Sequence, residues 1–295
     1  MLKYRADIRT VIYMVVTTAT LIVQWSLPHF NIFLFVLSLY LGVATAVIAH
    51  NHNHVATFKP KWMNVFMDYW LTLFYGFPAF GWIPTHNKNH HKLNNKAGDY
   101  TITYRYSEKN NLITLLTYPT ISSYFQQTPI RSYLKEMWKT DRPYFWEYVM
   151  QYVALIVYVG VALLIDWQKA LLFIVVPQQF ALYMIMIFNY VQHVHCDEES
   201  EYNHSRNFLG LTNLFLFNNG YHTVHHMRAS THWSETPAAH AKVAHLIDPE
   251  LNASGFWSFM FKTYILGLVM PKMRTHSMRL ERMGHTHESP LVPAA

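Results

Sequence analysis

The sequence predicts an all-α integral membrane protein: four transmembrane helices in two hairpins, with a cytosolic helical cap that carries a metal site. Three observations lead there. Apolar stretches of bilayer-spanning length occur in two pairs. Lys and Arg gather on one side of those pairs. Nineteen histidines collect in short groups where the apolar stretches end.

Composition removes other classes. Of 295 residues, 52% are apolar and 14% charged, whereas a disordered chain needs low hydrophobicity and high charge. Cys196 is the sole cysteine, so no disulfide framework can form within the chain. The mean hydropathy of +0.04 is mild only because four spans of ~20 residues are averaged with a polar remainder.

The first two spans are Val11 to Pro28 and Asn31 to His50, both free of Lys, Arg, Asp and Glu. Each is long enough for a hydrocarbon layer of ~30 Å, and the short Pro28-His29-Phe30 region makes them a hairpin. No small-residue cleavage site follows the first, which therefore reads as a retained helix rather than a signal peptide. The second pair is Tyr148 to Ile165 and Ala170 to Tyr190, joined by Asp166-Trp167-Gln168-Lys169. Pro177 predicts a kink in the fourth span.

Two hairpins put the N-terminus, segment 51–147 and segment 191–295 on one side. These hold 3, 11 and 8 Lys or Arg, against Lys169 alone on the other side. The positive-inside rule makes the crowded side cytoplasmic, with the metal site and both termini. The same split accounts for the net charge of +6 without nucleic-acid binding. The cap is expected over 51–147 and 191–274, with a disordered tail over 275–295.

Val65 to Pro84 is apolar but interrupted by Asp68, Gly76, Pro78, Gly81 and Pro84, which favours an interfacial helix pair over a fifth span. Phe256 to Met270 contains Lys262 and reads as a helix along the membrane surface. The aromatics Trp62, Phe66, Tyr69, Trp70, Phe74 and Tyr75 either line a tunnel or anchor an interfacial helix; anchoring is the simpler reading.

Four histidine groups fall at predicted cytoplasmic helix ends: His50, His52 and His54; His86, His90 and His91; His193 and His195; His222, His225 and His226. Residues three or four apart share a helix face. His50/His54, His86/His90 and His222/His225/His226 can therefore each converge on one point, while His52 points elsewhere. Imidazole suits Zn, Cu, Fe and Ni. A catalytic zinc needs three protein ligands, so eight histidines in three boxes fit two metal ions better than one. The remaining histidines read more blandly. His29 is expected to meet headgroups, His240 and His245 to lie on a helix surface, and His276, His285 and His287 to be solvated in the tail. His204 and His232 are equally compatible with a supporting position near the metal or with plain surface.

These boxes resemble those of the membrane fatty acid desaturase and hydroxylase superfamily, written H-x(3–4)-H, H-x(2–3)-HH and H/Q-x(2–3)-HH. Here they are His50-x3-His54, His86-x3-His90-His91 and His222-x2-His225-His226, and the resemblance covers roughly residues 40 to 245. Asn189 and His193 match the family's Asn-x3-His at the end of the fourth span, which implies His193 as a ninth ligand and Asn189 as a weaker contact. His195 fits no family position.

The resemblance implies a di-iron centre held by nine imidazoles, with O2 as co-substrate, acting on an unactivated C–H of a fatty acyl chain. Desaturation is the expected reaction; hydroxylation and 1-alkene-forming decarboxylation belong to the same superfamily. Asp99, Asp197, Glu198 or Glu199 could orient the imidazoles. With no haem domain and no rubredoxin-like cysteine pair in the sequence, the two electrons per turnover imply a separate ferredoxin, rubredoxin or cytochrome with its reductase. A basic face would steer an acidic donor. A divalent-metal transporter would keep polar ligands near the bilayer midplane, yet no histidine precedes His50 within the first two spans. A zinc hydrolase would act without O2 or reductant.

Overall fold

The structure is a computed structural model that describes residues 1–284. It is mostly helical, at 71%, with one two-residue parallel strand pair, Asn207–Phe208 beside Asn252–Ala253. Three helical segments are long and apolar enough to cross a bilayer: Arg5–Ser26, Ile32–His54 and Arg142–His193. The chain divides into two compact units, one made of Met1–Asn87 with Gln127–Ile185, the other of Lys88–Gln126 with the chain from Met186 onward.

In the first unit, α1 (Ile8–Ser26) and α2 (Ile32–His54) pack side by side. Asn31 starts α2 by accepting from the backbone N–H of Phe33 and Leu34 at 3.0 and 3.1 Å, which satisfies two of the donors a helix start leaves open. Leu41 to Ala49 of α2 are buried. Gly42 permits this packing: a Cβ there would sit 3.0 Å from the carbonyl oxygen of Pro177. The helix continues to His54, so the HNHNH sequence is its last turn rather than the loop beyond it.

Next comes α3 (Lys61–Tyr75), 15 residues long and so ~22 Å, too short to cross alone. Gly76 ends it in the left-handed conformation (φ 81°), donating its N–H to Thr72 O. The helix thus begins before Val65 and breaks where Gly76 and Pro78 predict.

α4 spans Leu112–Thr140 and α5 spans Arg142–Ala170. Asp141 begins α5 by accepting from Tyr144 N. Within the 52-residue segment Arg142–His193, the backbone leaves helical geometry at Asp166 (φ −156°, ψ 97°). The Asp166 carboxylate then accepts from the N–H groups of Gln168 and Lys169, the geometry of a new helix start. Ala162, Ala170 and Ile174 pack into one buried cluster with Leu21 and Trp25. An unbroken helix of that length would run ~78 Å, so the break at Asp166 is what lets the segment fold back. Lys169 donates to the carbonyls of Trp25 and Leu27, capping the C-terminus of α1 where a cation is favoured. The kink expected at Pro177 takes the form of a π-helical turn, Leu171–Val175, leading into α6 (Val176–His193). Pro177 has no N–H for the preceding turn, and its ring crowds the carbonyl four residues back.

In the second unit, α6 ends at His193. It is followed by α7 (His222–Met227), α8 (Thr236–Val243) and the apolar helix Phe256–Val269. The last exposes Trp257, Phe261, Ile265 and Leu268 along one side and buries Phe256 and Tyr264. Two expectations are corrected. Residues 275–284 are not disordered: α9 (Met278–Arg282) forms there, started by the Ser277 hydroxyl accepting from Leu280 N, and Leu280 is buried. His240 is not a surface residue; it is 5% exposed on the inner side of α8, against the Tyr221 ring. A period of 3.6 places it inward, and two residues say nothing of which side that is. His245 is exposed as expected, and His285 and His287 lie outside the described residues.

Candidate metal centre

In the first unit, the last turn of α2 carries His50 and His54, whose ring centroids are 4.8 Å apart. His86 meets both, at 4.6 Å from His50 and 5.1 Å from His54. The Nε2 atoms of His50 and His86 face each other at 2.8 Å. Trp82 lies 5.1 Å from both rings and stacks on Tyr75. His52, two residues from each α2 ligand, points away as its helix position requires. Its Nδ1 pairs with the Thr57 hydroxyl and its Nε2 lies 3.5 Å from Asp68.

In the second unit, His90, His193, His222 and His226 gather so that their ligand atoms lie within 4.8 Å of one another. Nε2 of His193 is 3.1 Å from Nε2 of His90 and 2.9 Å from Nε2 of His222. The His226 ring packs on the other three at 4.6–4.8 Å. A neighbouring pair, His91 and His225, meets Nε2 to Nε2 at 3.0 Å.

The surroundings fix the tautomers. His90 donates its Nδ1 proton to Asp99 Oδ2 at 2.8 Å. Asp99 is held in turn by the Asn95 and Thr101 backbone N–H groups and the Thr101 hydroxyl. Burial would push the Asp99 carboxyl up, but His90 and the Thr101 bonds outweigh it and hold it well below the usual carboxylate range. His193 donates Nδ1–H to the His204 carbonyl at 3.3 Å. With Nδ1 of each ring turned to an oxygen acceptor, His90 and His193 aim their Nε2 atoms at the middle of the quartet. His226 has both ring nitrogens buried with no hydrogen-bond partner among the described residues, and burial with the adjacent imidazoles holds its pKa well below the ordinary value. Converging imidazoles withdrawn from solvent fit a divalent transition metal.

Not every sequence expectation about convergence holds. His50/His54 converge, but His86 and His90 do not: His86 joins the trio and His90 the quartet. Residues Ile83–His90 wind as a π-helix, with bonds from i to i+5. In α7, His222 and His226 join the quartet while His225 turns to His91. Of the four acids, Asp99 reaches an imidazole. Asp197, Glu198 and Glu199 instead pair with Arg282, Arg279 and Lys96 respectively. Asn189 sits one turn before His193 and donates to the Tyr118 hydroxyl at 2.6 Å, which donates to the Thr101 carbonyl. It thereby braces the loop that carries Asp99.

His204 is buried beside His226 at 5.7 Å. His232 is buried against Trp233 and bonds the Ser234 hydroxyl. His195 belongs to neither histidine cluster. Trp62 and Phe66 are 69% and 59% exposed, as anchors would be, while Tyr75 reaches Trp82 beside the trio. Sequence reasoning missed Trp82, Thr101 and Tyr118, for which spacing carries no signal.

A family model for the fatty acid desaturases matches residues 25–269. No curated protein and no solved structure matches the chain.

Proposed function

The chain belongs to the fatty acid desaturase family, and on that premise we propose that it desaturates a fatty acyl chain within the membrane, using two iron ions and O2. Family membership and the histidine clusters make it an oxidoreductase of that superfamily; the iron, the acyl substrate and the choice of desaturation are the proposal. One iron belongs to His90, His193, His222 and His226. His50, His54 and His86 of the first unit, and His91 and His225 of the second, are the other candidate ligands. When bound, the irons supply O2 activation and hydrogen removal from an unactivated C–H. The convergence of His90, His193, His222 and His226, whose ligand atoms lie within 4.8 Å of one another, is the observation that carries the metal reading.

The chain's own residues do the positioning. Asp99 keeps His90 in the Nδ1–H tautomer and raises the basicity of its Nε2. The His204 carbonyl does the same for His193. Trp82 and Tyr75 present an apolar wall beside the trio that excludes water. We propose four crossings, with Asp166 at the second hairpin turn and the metal site and termini cytoplasmic; the 22-to-1 split of Lys and Arg supports this orientation. Electrons come from a separate ferredoxin, rubredoxin or cytochrome, a partner that the exposed Lys88 and Lys92 beside His90 and His91 would attract.

The test is lipid analysis of a host expressing the chain or its His90→Ala variant, together with iron content of the purified proteins. A new double bond that needs His90 is expected. An added oxygen or a hydrocarbon one carbon shorter would replace desaturation by hydroxylation or decarboxylation. Unchanged lipids with an iron-loaded protein and a working donor would overturn the proposal.

A further inference from the structure

The helix that delivers His193 ends in a turn closed by its own Cys196 N–H to His193 O bond and braced by Arg206 on the Val191 and Val194 carbonyls. His195 takes the left-handed conformation (φ 63°), which costs a residue with a side chain on the order of 1 kcal/mol. Its ring is fixed from two sides. Nε2–H donates to the Glu108 carbonyl at 2.8 Å, so Nδ1 carries the lone pair that accepts from the Thr275 hydroxyl at 2.8 Å. The His195 carbonyl accepts from Met278 N. Two of these three anchors come from the segment that the sequence alone makes a loose tail.

The same segment grips the residues on either side of that turn. Arg279 pairs with Glu108 at 2.5 Å and with Glu198 at 3.1 Å, and its guanidinium lies over the Tyr104 ring at 4.0 Å. Arg282 reaches Asp197 and Glu198. Arg279 and both its carboxylate partners are largely withdrawn from solvent, where charge-assisted pairs act most strongly. Beneath lies a small crevice lined among others by Asn95, Glu108, His195 and Arg279. Asn95 donates its backbone N–H to the Asp99 carboxylate that holds His90. The C-terminal segment therefore touches the turn that follows His193 and borders the same crevice as Asn95.

We propose that residues Thr275–Arg282 are a clamp that sets the His193 end of the metal site, with Arg279 its positioning residue. The proposal rests on the metal reading above. Without the clamp, the turn at His195 relaxes, α6 frays at its last residue, and the quartet loses metal while the trio keeps it.

The probe is Co²⁺ titration of the purified full-length protein in detergent, followed by visible absorption, beside thermal melting of the metal-free form. Wild type should bind in two steps. Arg279→Glu should weaken one step about tenfold, the range seen when support for a metal ligand is removed, and leave the other unchanged. Glu108→Arg combined with Arg279→Glu should recover most of that loss. Thr275→Val, nearly isosteric and neutral, should weaken the same step by a smaller factor, and it serves if the charge variant fails to fold. Equal weakening of both steps, weakening that only follows a fall in melting temperature, or unchanged titrations would overturn the clamp and leave the metal reading standing. A wild type that binds no Co²⁺ would overturn both.

Discussion

The trio of the first unit and the quartet of the second use one ring type and differ in how the chain assembles them. In the trio, two members ride one helix four residues apart, and the third arrives 36 residues after His50. The companion against the rings is Trp82. In the quartet, four rings come from three separate segments, with His90 and His193 103 positions apart. A carboxylate and a backbone carbonyl fix their tautomers. A site built on one helix inherits its geometry from the helix repeat. A site built from distant segments must have its geometry imposed by hydrogen bonds, and it is the one that carries Asp99, Thr101 and the His204 carbonyl. The quartet should therefore depend more steeply on residues that never touch metal.

The largest effect separating the two is removal of a ligand. His90→Ala or His226→Ala should abolish turnover and cut iron from two ions per chain toward one, by elemental analysis; a residual two would dissolve the division into separate centres. His225→Ala should also abolish turnover. Next comes Asp99→Asn, which keeps the shape but removes the charge on His90. It should weaken one metal-binding step about 10–100-fold, and equal weakening of both steps would erase the contrast.

A milder probe is the solitary thiol three residues past His193. Burial pushes Cys196 up to about 11, so iodoacetamide at pH 8 should leave it unmodified in the folded protein and label it after denaturation, as read by mass spectrometry. Labelling in the folded state would mean that the turn after the quartet opens freely. The smallest effect is His276→Ala, which removes exposed pairs with Glu250 and Glu281, worth at most about 1 kcal/mol. Activity and iron content should stay at the wild-type level.

Much of the fold was legible in the order of residues. The first apolar helix ends just before Pro28, the third and fourth stretches part at the Asp166 loop, and Gly76 stops α3, while the second helix runs on past His50 to His54. These are local effects, settled by side chains within a few positions of the backbone they act on. The candidate ligands were legible for the same reason, since imidazoles at helix spacing are a local pattern. What spacing could not give was their partition. His86 and His90 fall in different groups, and nothing in HNKNHH announces that. The final stretch misled in the opposite direction: Arg279 and Arg282 look like solvated charge until Glu108, Asp197 and Glu198 are brought to them from 171, 85 and 81 residues away.

The sequence by itself determined that this protein has bilayer-length helices and which imidazoles are candidates for metal. Periodicity and hydrophobicity are properties of neighbours along a chain, and they need no fold to be read. Only the tertiary structure decided which rings face one another, which carboxylate holds which imidazole, and that the C-terminal segment closes over the turn after His193. Those outcomes depend on segments a hundred residues apart meeting within 3 Å, and that is set by packing of the whole.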